Sequence, residues 1–227
     1  MLLGRIERAG LRLKAGVDFE VVNPEDDPRF RACWEEYHRL MKRDGVSVEA
    51  AKAAVRRSTT LIATMLLKLG HADAMLCGLH GRYDTHFEYV KNVIGQKPGA
   101  KVFATMNALM LDEHNLFITD TYINDQPSAE ELAEIALMAA EEVRRFGVPP
   151  KVALLSHSMY GTSSRPSAKR MRAARDLFVA RAPEIECDGE MHGDAALSET
   201  IRRNILPDST LTGAANVLVL PNIDAAN

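Results

Sequence analysis

The sequence lacks any apolar run approaching the roughly 20 residues that a bilayer-spanning helix needs, which argues against a membrane partner. The N-terminus also lacks the basic, apolar and small-residue succession of a signal peptide. Cysteine is scarce: Cys33, Cys77 and Cys187 are odd in number, widely spaced, and fit neither a disulfide framework nor a zinc pattern. A reducing cytoplasm is the expected compartment. Charge of one sign is missing too, since 28 basic residues face 31 acidic ones, which leaves no electrostatic footprint for nucleic acid. What is abundant is apolar. Hydrophobic residues make up 46% and charged residues 26%, the balance of a soluble globular protein, and 227 residues can bury a core as one large domain or two smaller ones.

Along the chain, Met1 to Arg5 resembles the tail of a strand and a turn, as if a segment were missing upstream. Phe19 to Val22 and Ala74 to Cys77 carry strand patterns, and helices are expected over about 29–41, from Ser47, and over 60–69 with Gly70 as C-cap. Strands over 101–111 and 116–119, joined by the polar turn 112–115, predict a hairpin. From Ser128 to Phe146 apolar residues recur at helical spacing, with Glu130 and Glu131 early and Arg144 and Arg145 late, as the helix dipole favours. A basic helix follows over 167–181, then a strand and the acidic turn Asp188-Gly-Glu190, a helix over 194–203, and a strand over 216–220. Strand-helix alternation indicates an α/β protein, and the polar turn after the last strand should lead into a further helix beyond Asn227.

Lys151 to Pro166 holds the densest polar chemistry. Val152 to Leu155 is a continuous apolar run, as in a parallel strand buried on both faces, and ligands collect beyond the carboxyl ends of such strands. Ser156, Ser158, Thr162, Ser163 and Ser164 follow, and Ser164 is placed to cap a helix opened by Pro166. This is either an ordinary polar turn or a cradle for a phosphate or carboxylate. The loops 78–87 and 120–127 also follow strands, and parallel pairing would line all three along one sheet edge. No nucleophile-base pair stands out. His80, His86, His157 and His192 lack the spacing of a metal helix, and no Gly-x-Ser-x-Gly elbow is present. Lys169, Arg170, Arg172 and Arg175 read first as a solvated basic face, and second as a surface for a ligand's phosphates.

Several long motifs carry a resemblance. Ser156 to Ser164, Asp188 to Leu197, Pro207 to Asn222, Ala72 to Gly78 and Ala129 to Ala136 resemble the phosphate acetyl/butyryltransferases. Met106-Asn-Ala-Leu109, Asp120 to Asp125 and Asp188 to Ala196 are most similar to the C-terminal phosphotransacetylase-like domain of multidomain NADP-dependent malic enzymes. The resemblance implies a two-lobed α/β fold over 1–227, with parallel-rich sheets flanked by helices, a cleft between lobes, and lobe boundaries near 100 and 150. It implies acetyl-CoA as an allosteric effector, homo-oligomerisation through this domain, and NADP and a divalent metal only in catalytic domains outside this chain.

By position, Ser156, Ser158, Gly161, Thr162, Ser163 and Ser164 match the family's ligand-binding loop, Asp120 and Asn124 a second loop, and Asp188, Gly189 and Glu190 a third. Active members carry an Arg-Lys-His-Lys-Gly type segment where this chain reads Leu40-Met-Lys-Arg-Asp-Gly45, with Met41 at the expected arginine. The family's late Ser-Arg element falls beyond the last strand, outside the sequence. Losing a guanidinium removes a bidentate phosphate clamp and disfavours acetyl transfer.

Overall fold

The computed structural model describes residues 2–112 and 114–227, so Met1 and Glu113, the latter in the expected hairpin turn, lie outside the described residues. The chain forms two compact units, Met1–Gly95 and Gln96–Asn227.

The first unit is helical: α1 (Leu2–Arg8), α2 (Phe30–Met41), α3 (Val48–Arg57), α4 (Thr59–Lys68) and α5 (Tyr83–Tyr89), with a π-helical turn over Val90–Ile94. Apolar residues four apart turn one face of each central helix inward. Cys33 and Tyr37 of α2, Ala51 and Val55 of α3, and Leu61 and Met65 of α4 close a single core with Val93. Ser47 and Ser58 cap α3 and α4 by accepting from the Ala50 and Leu61 amides. Three strand expectations fail here. Leu2–Arg8 is helix, Phe19 makes only an isolated bridge to Ala15, and Ala74 to Cys77 is non-regular with Leu76 99% exposed. A strand needs a neighbour to take its backbone bonds, and the described residues of this unit offer none.

The second unit is an α/β sandwich on one five-stranded sheet. Its elements are β1 (Met106–Met110), β2 (Asn115–Thr119), α6 (Ala129–Arg145), β3 (Lys151–Leu155), α7 (Pro166–Arg181), β4 (Glu186–Met191), α8 (Gly193–Leu197), α9 (Glu199–Ile205), β5 (Val217–Val219) and α10 (Ile223–Ala226). Strand order is β1-β2-β5-β3-β4; β1 runs antiparallel to β2 and the other neighbours are parallel. Residue 150 lies inside this unit, just before β3.

Both sheet faces are covered, as the apolar run at Val152 required. Val152, Leu154, Val217, Val219 and Phe117 point into one core with Leu132, Ala136 and Val143 of α6 and Met171, Ala174 and Phe178 of α7. Ala153, Leu218 and Met191 point the other way, onto Ala195, Ala196 and Leu211. The α6 helix begins with a full capping box: the Ser128 hydroxyl accepts from the Glu131 amide and the Glu131 carboxylate accepts from the Ser128 amide. The helix expected over 194–203 is interrupted at Ser198, whose extended backbone lets its hydroxyl cap α9.

Candidate functional site

Four parallel strands end side by side, so the segments after Thr119, Leu155, Met191 and Val219 share one edge of the sheet. The loop 78–87 belongs to the first unit and, among the described residues, follows no strand, so strand pairing does not place it. Asp188, Gly189 and Glu190 do not form the expected turn either. They are the buried interior of β4.

The serine loop is built around Glu190. Leu154 pairs with Gly189 and Leu155 with Met191, so Glu190 is the extra residue of a β-bulge, fully buried. Its Oε1 accepts from the Ser158 hydroxyl at 2.7 Å and from the Gly161 amide at 2.9 Å. Arg172 of α7 donates to both carboxylate oxygens, at 3.0 and 3.2 Å. Burial pushes the Glu190 carboxyl up, but the Arg172, Ser158 and Gly161 bonds outweigh it and hold the group below the usual glutamate range. Gly189 makes the approach possible: a Cβ there would sit 2.7 Å from the Leu154 carbonyl oxygen, on a backbone at φ +142°.

The other hydroxyls complete the loop. Ser156 Oγ accepts from the Ser158 amide, Ser158 Oγ from the Ser163 amide, and Thr162 Oγ1 from the Met159 amide. Ser163 Oγ accepts from the Arg165 amide and meets His157 Nε2 at 3.1 Å. Ser164 does not cap α7, because Arg165 occupies the cap position without a side-chain bond. Gly161, Thr162 and Ser164 are exposed, and the first intrahelical bond runs from the Lys169 amide to the Arg165 carbonyl. The Ser167 and Ala168 amides ahead of it have no intrahelical acceptor, an arrangement that favours an anion.

Two further carboxylates are also spoken for. Asp120 accepts from the Thr105 amide and hydroxyl and from the Asn124 amide and side chain, while Asn124 also donates to the Phe103 carbonyl. Asp188 accepts from the Ser209 hydroxyl at 2.6 Å and the Thr210 amide at 3.1 Å. Ser209 in turn accepts from Arg202, a fully buried guanidinium that donates to the Ala195, Leu211 and Gly213 carbonyls. Beside this network, burial and the Asp188 charge push the Tyr160 hydroxyl up to about 12. The sequence singles out neither Arg202 nor Ser209 as a site residue, although Ser209 lies within the shared motif 207–222. Arg202 has the spacing of an ordinary basic residue in a helix's last turn, and no local signal marks it as buried.

The first unit has its own concavity, about 670 Å³, lined among others by Arg57, Ser58, Thr60, His80, Arg82 and His86. His86 Nε2 lies 2.7 Å from the His80 carbonyl oxygen, which can only accept, so Nε2 carries the proton. Nδ1 meets the Thr60 hydroxyl at 2.7 Å. Met41, at the position expected to hold an arginine, is partly buried against this unit's core.

The phosphate acetyl/butaryl transferase family model matches residues 1–227. The chain belongs to that family. It is 56% identical over 222 residues to the NADP-dependent malic enzyme of Escherichia coli (strain K12), covering 98% of this chain but 29% of that protein, in its C-terminal part. It is 36% identical over 214 residues to the phosphate acetyltransferase of Paracoccus denitrificans, covering 91% of this chain and 67% of that one. A solved phosphotransacetylase from Streptococcus pyogenes superposes with a TM-score of 0.85 at 28% identity, covering 99% of this chain and 67% of that chain. These neighbours carry the phosphotransacetylase fold that the resemblance implied.

Proposed function

We propose that this chain is the phosphotransacetylase-like module of an NADP-dependent malic enzyme, where it binds acetyl-CoA as an allosteric inhibitor and joins subunits. Oxidative decarboxylation of malate to pyruvate would then belong to domains outside these 227 residues. The observation that carries the reading is the difference in likeness: 56% identity to a malic enzyme against 36% to a stand-alone acetyltransferase, each over nearly the whole chain. Met41 supports it, because a thioether packed in a core supplies no phosphate clamp. The exposed Thr162, Ser164 and first-turn amides of α7 receive the acyl-phosphate or CoA end of the ligand. Ser156, Ser158, Gly161, Ser163, Gly189 and Glu190 shape that loop, while Asp120 with Asn124 and Asp188 hold neighbouring segments of the second unit. Coupling is reciprocal: acetyl-CoA bound here weakens productive malate or NADP binding elsewhere, and those ligands weaken acetyl-CoA.

Isothermal titration of the chain with acetyl-CoA tests the reading, which predicts saturable binding; a flat titration removes the sensing role. The second reading, an active phosphate acetyltransferase, is favoured by the Paracoccus relative, of which this chain covers two thirds. CoA-dependent consumption of acetyl phosphate would put it first.

A further inference from the structure

Tyr160 sits in a conformation that is costly for a bulky side chain. At φ +46° it is, among the described residues, the one non-glycine residue in the left-handed region, where glycine would rest without strain. Its amide donates to the Glu190 carbonyl at 2.9 Å, between the Ser158 and Gly161 contacts that close the serine loop on the Glu190 carboxylate. Such a residue persists where its surroundings over-determine it. Here the side chain supplies the anchor. Thr162 and Ser164 face solvent, whereas the Tyr160 ring packs half-buried against the core of Met159, Met191 and Leu211. Its hydroxyl reaches Met191 Sδ at 4.0 Å and bonds with the Ser209 hydroxyl, beside Asp188.

Ser209 belongs to the opposite end of the layer. Residues 207–213 run past β4 to its amino end: the Thr210 hydroxyl donates to the Cys187 carbonyl at 2.7 Å, and the Thr212 amide and hydroxyl donate to the Glu186 carboxylate at 2.8 and 2.9 Å. Lys151, the first residue of β3, donates to the Thr212 carbonyl at 2.6 Å. The serine loop lies at the carboxyl end of β3. We infer that Tyr160 is a strut coupling the serine loop at the carboxyl edge of the sheet to residues 207–213 at the amino edge, so that a ligand held by the loop steadies the far segment. This rests on the serine loop being the acetyl-CoA site and adds a route out of it. Both hydrogen-bond sets are closed without a ligand, so occupancy changes how often the segment opens rather than its shape. Asp208, Thr210 and Thr212, all exposed, then form a surface whose order reports the state of the loop. The strand β4 offers a parallel path, because Asp188 and Glu190 lie two residues apart on it, and the Tyr160 hydroxyl is the group that tells the two paths apart.

Amide exchange of the chain, read by mass spectrometry with and without saturating acetyl-CoA, tests this. In the wild type acetyl-CoA should slow residues 156–164 and also residues 207–213, the latter by about fivefold or more. Tyr160→Phe keeps the ring and loses the hydroxyl. Acetyl-CoA should still slow its loop, while residues 207–213 exchange at their unliganded rate. Ser209→Ala cuts the tie from the other end and should give the same split. A purely structural role would change the unliganded rates and leave the response to ligand intact. If the wild-type loop slows and residues 207–213 do not, the strut is wrong and the acetyl-CoA site stands. If the far segment still responds in both variants, β4 carries the coupling and the role of Tyr160 is overturned. No response anywhere, with a flat titration, removes the acetyl-CoA site and the strut together.

Discussion

Removing the Glu190 charge should loosen the serine loop without unfolding the sheet. In Glu190→Gln the amide oxygen can still accept from the Ser158 hydroxyl and the Gly161 amide, but the charge-assisted bonds from Arg172 are lost. Such bonds contribute about 1.5–3 kcal/mol when well sheltered. Arg172 is 39% exposed, so solvent screening lowers the expected loss to about 1–2 kcal/mol. Glu190→Ala goes further, because the buried Ser158 hydroxyl and the Gly161 amide lose their acceptor as well; about 3–4 kcal/mol is expected. Urea unfolding measures both, and amide exchange should speed up at Gly161 and Ser163. The pH dependence has a fixed sign. Because the folded Glu190 carboxyl lies below its ordinary value, its contribution is whole above about pH 4.3 and disappears as pH falls through the folded value. The gap between wild type and Glu190→Gln should therefore stay level from pH 8 to 5 and close in acid. A gap that persists in acid, or an alanine variant with the wild-type midpoint, would refute the assignment of Glu190 as the loop's anchor.

Gly189→Ala should destabilise by about 2–4 kcal/mol in the same unfolding assay, combining the positive-φ penalty with displacement of the Leu154 backbone 2.7 Å away; a shift under 0.5 kcal/mol would contradict the close packing of β3 on β4. Arg202→Leu removes the donor to the Ala195, Leu211 and Gly213 carbonyls and leaves Asp188 and Ser209 without their cationic neighbour. A loss of about 3–5 kcal/mol is expected, and a near-neutral urea midpoint would mean that water replaces the guanidinium.

The sequence made some elements legible because their causes are local. The α6 helix announces itself through Ser128, its spacing of apolar residues and its charge order; β3 does so through an unbroken apolar run. What misled was non-local. Ala74 to Cys77 has strand composition, but composition supplies no partner strand, and Leu76 lies in solvent. Asp188-Gly-Glu190 has turn composition, yet the groups that make its burial tolerable come from residues 158, 161, 172, 209 and 210. Nothing in the spacing of those residues announces that they converge. Ser164 looks like a cap, but the backbone places Arg165 there instead.

That convergence changes what the shared motifs mean. Ser158, Gly161 and Glu190 satisfy one another, as do Asp120 with Asn124 and Asp188 with Ser209, and each set closes without a ligand. A chain can therefore keep this wording to hold a loop's shape, whether or not any group is transferred there. Likeness across these motifs speaks for the frame, and chemistry has to be argued from what the frame presents. Here it presents two exposed hydroxyls and the open turn of α7, while Met41 packs into a core. Those groups suit recognition of an anion.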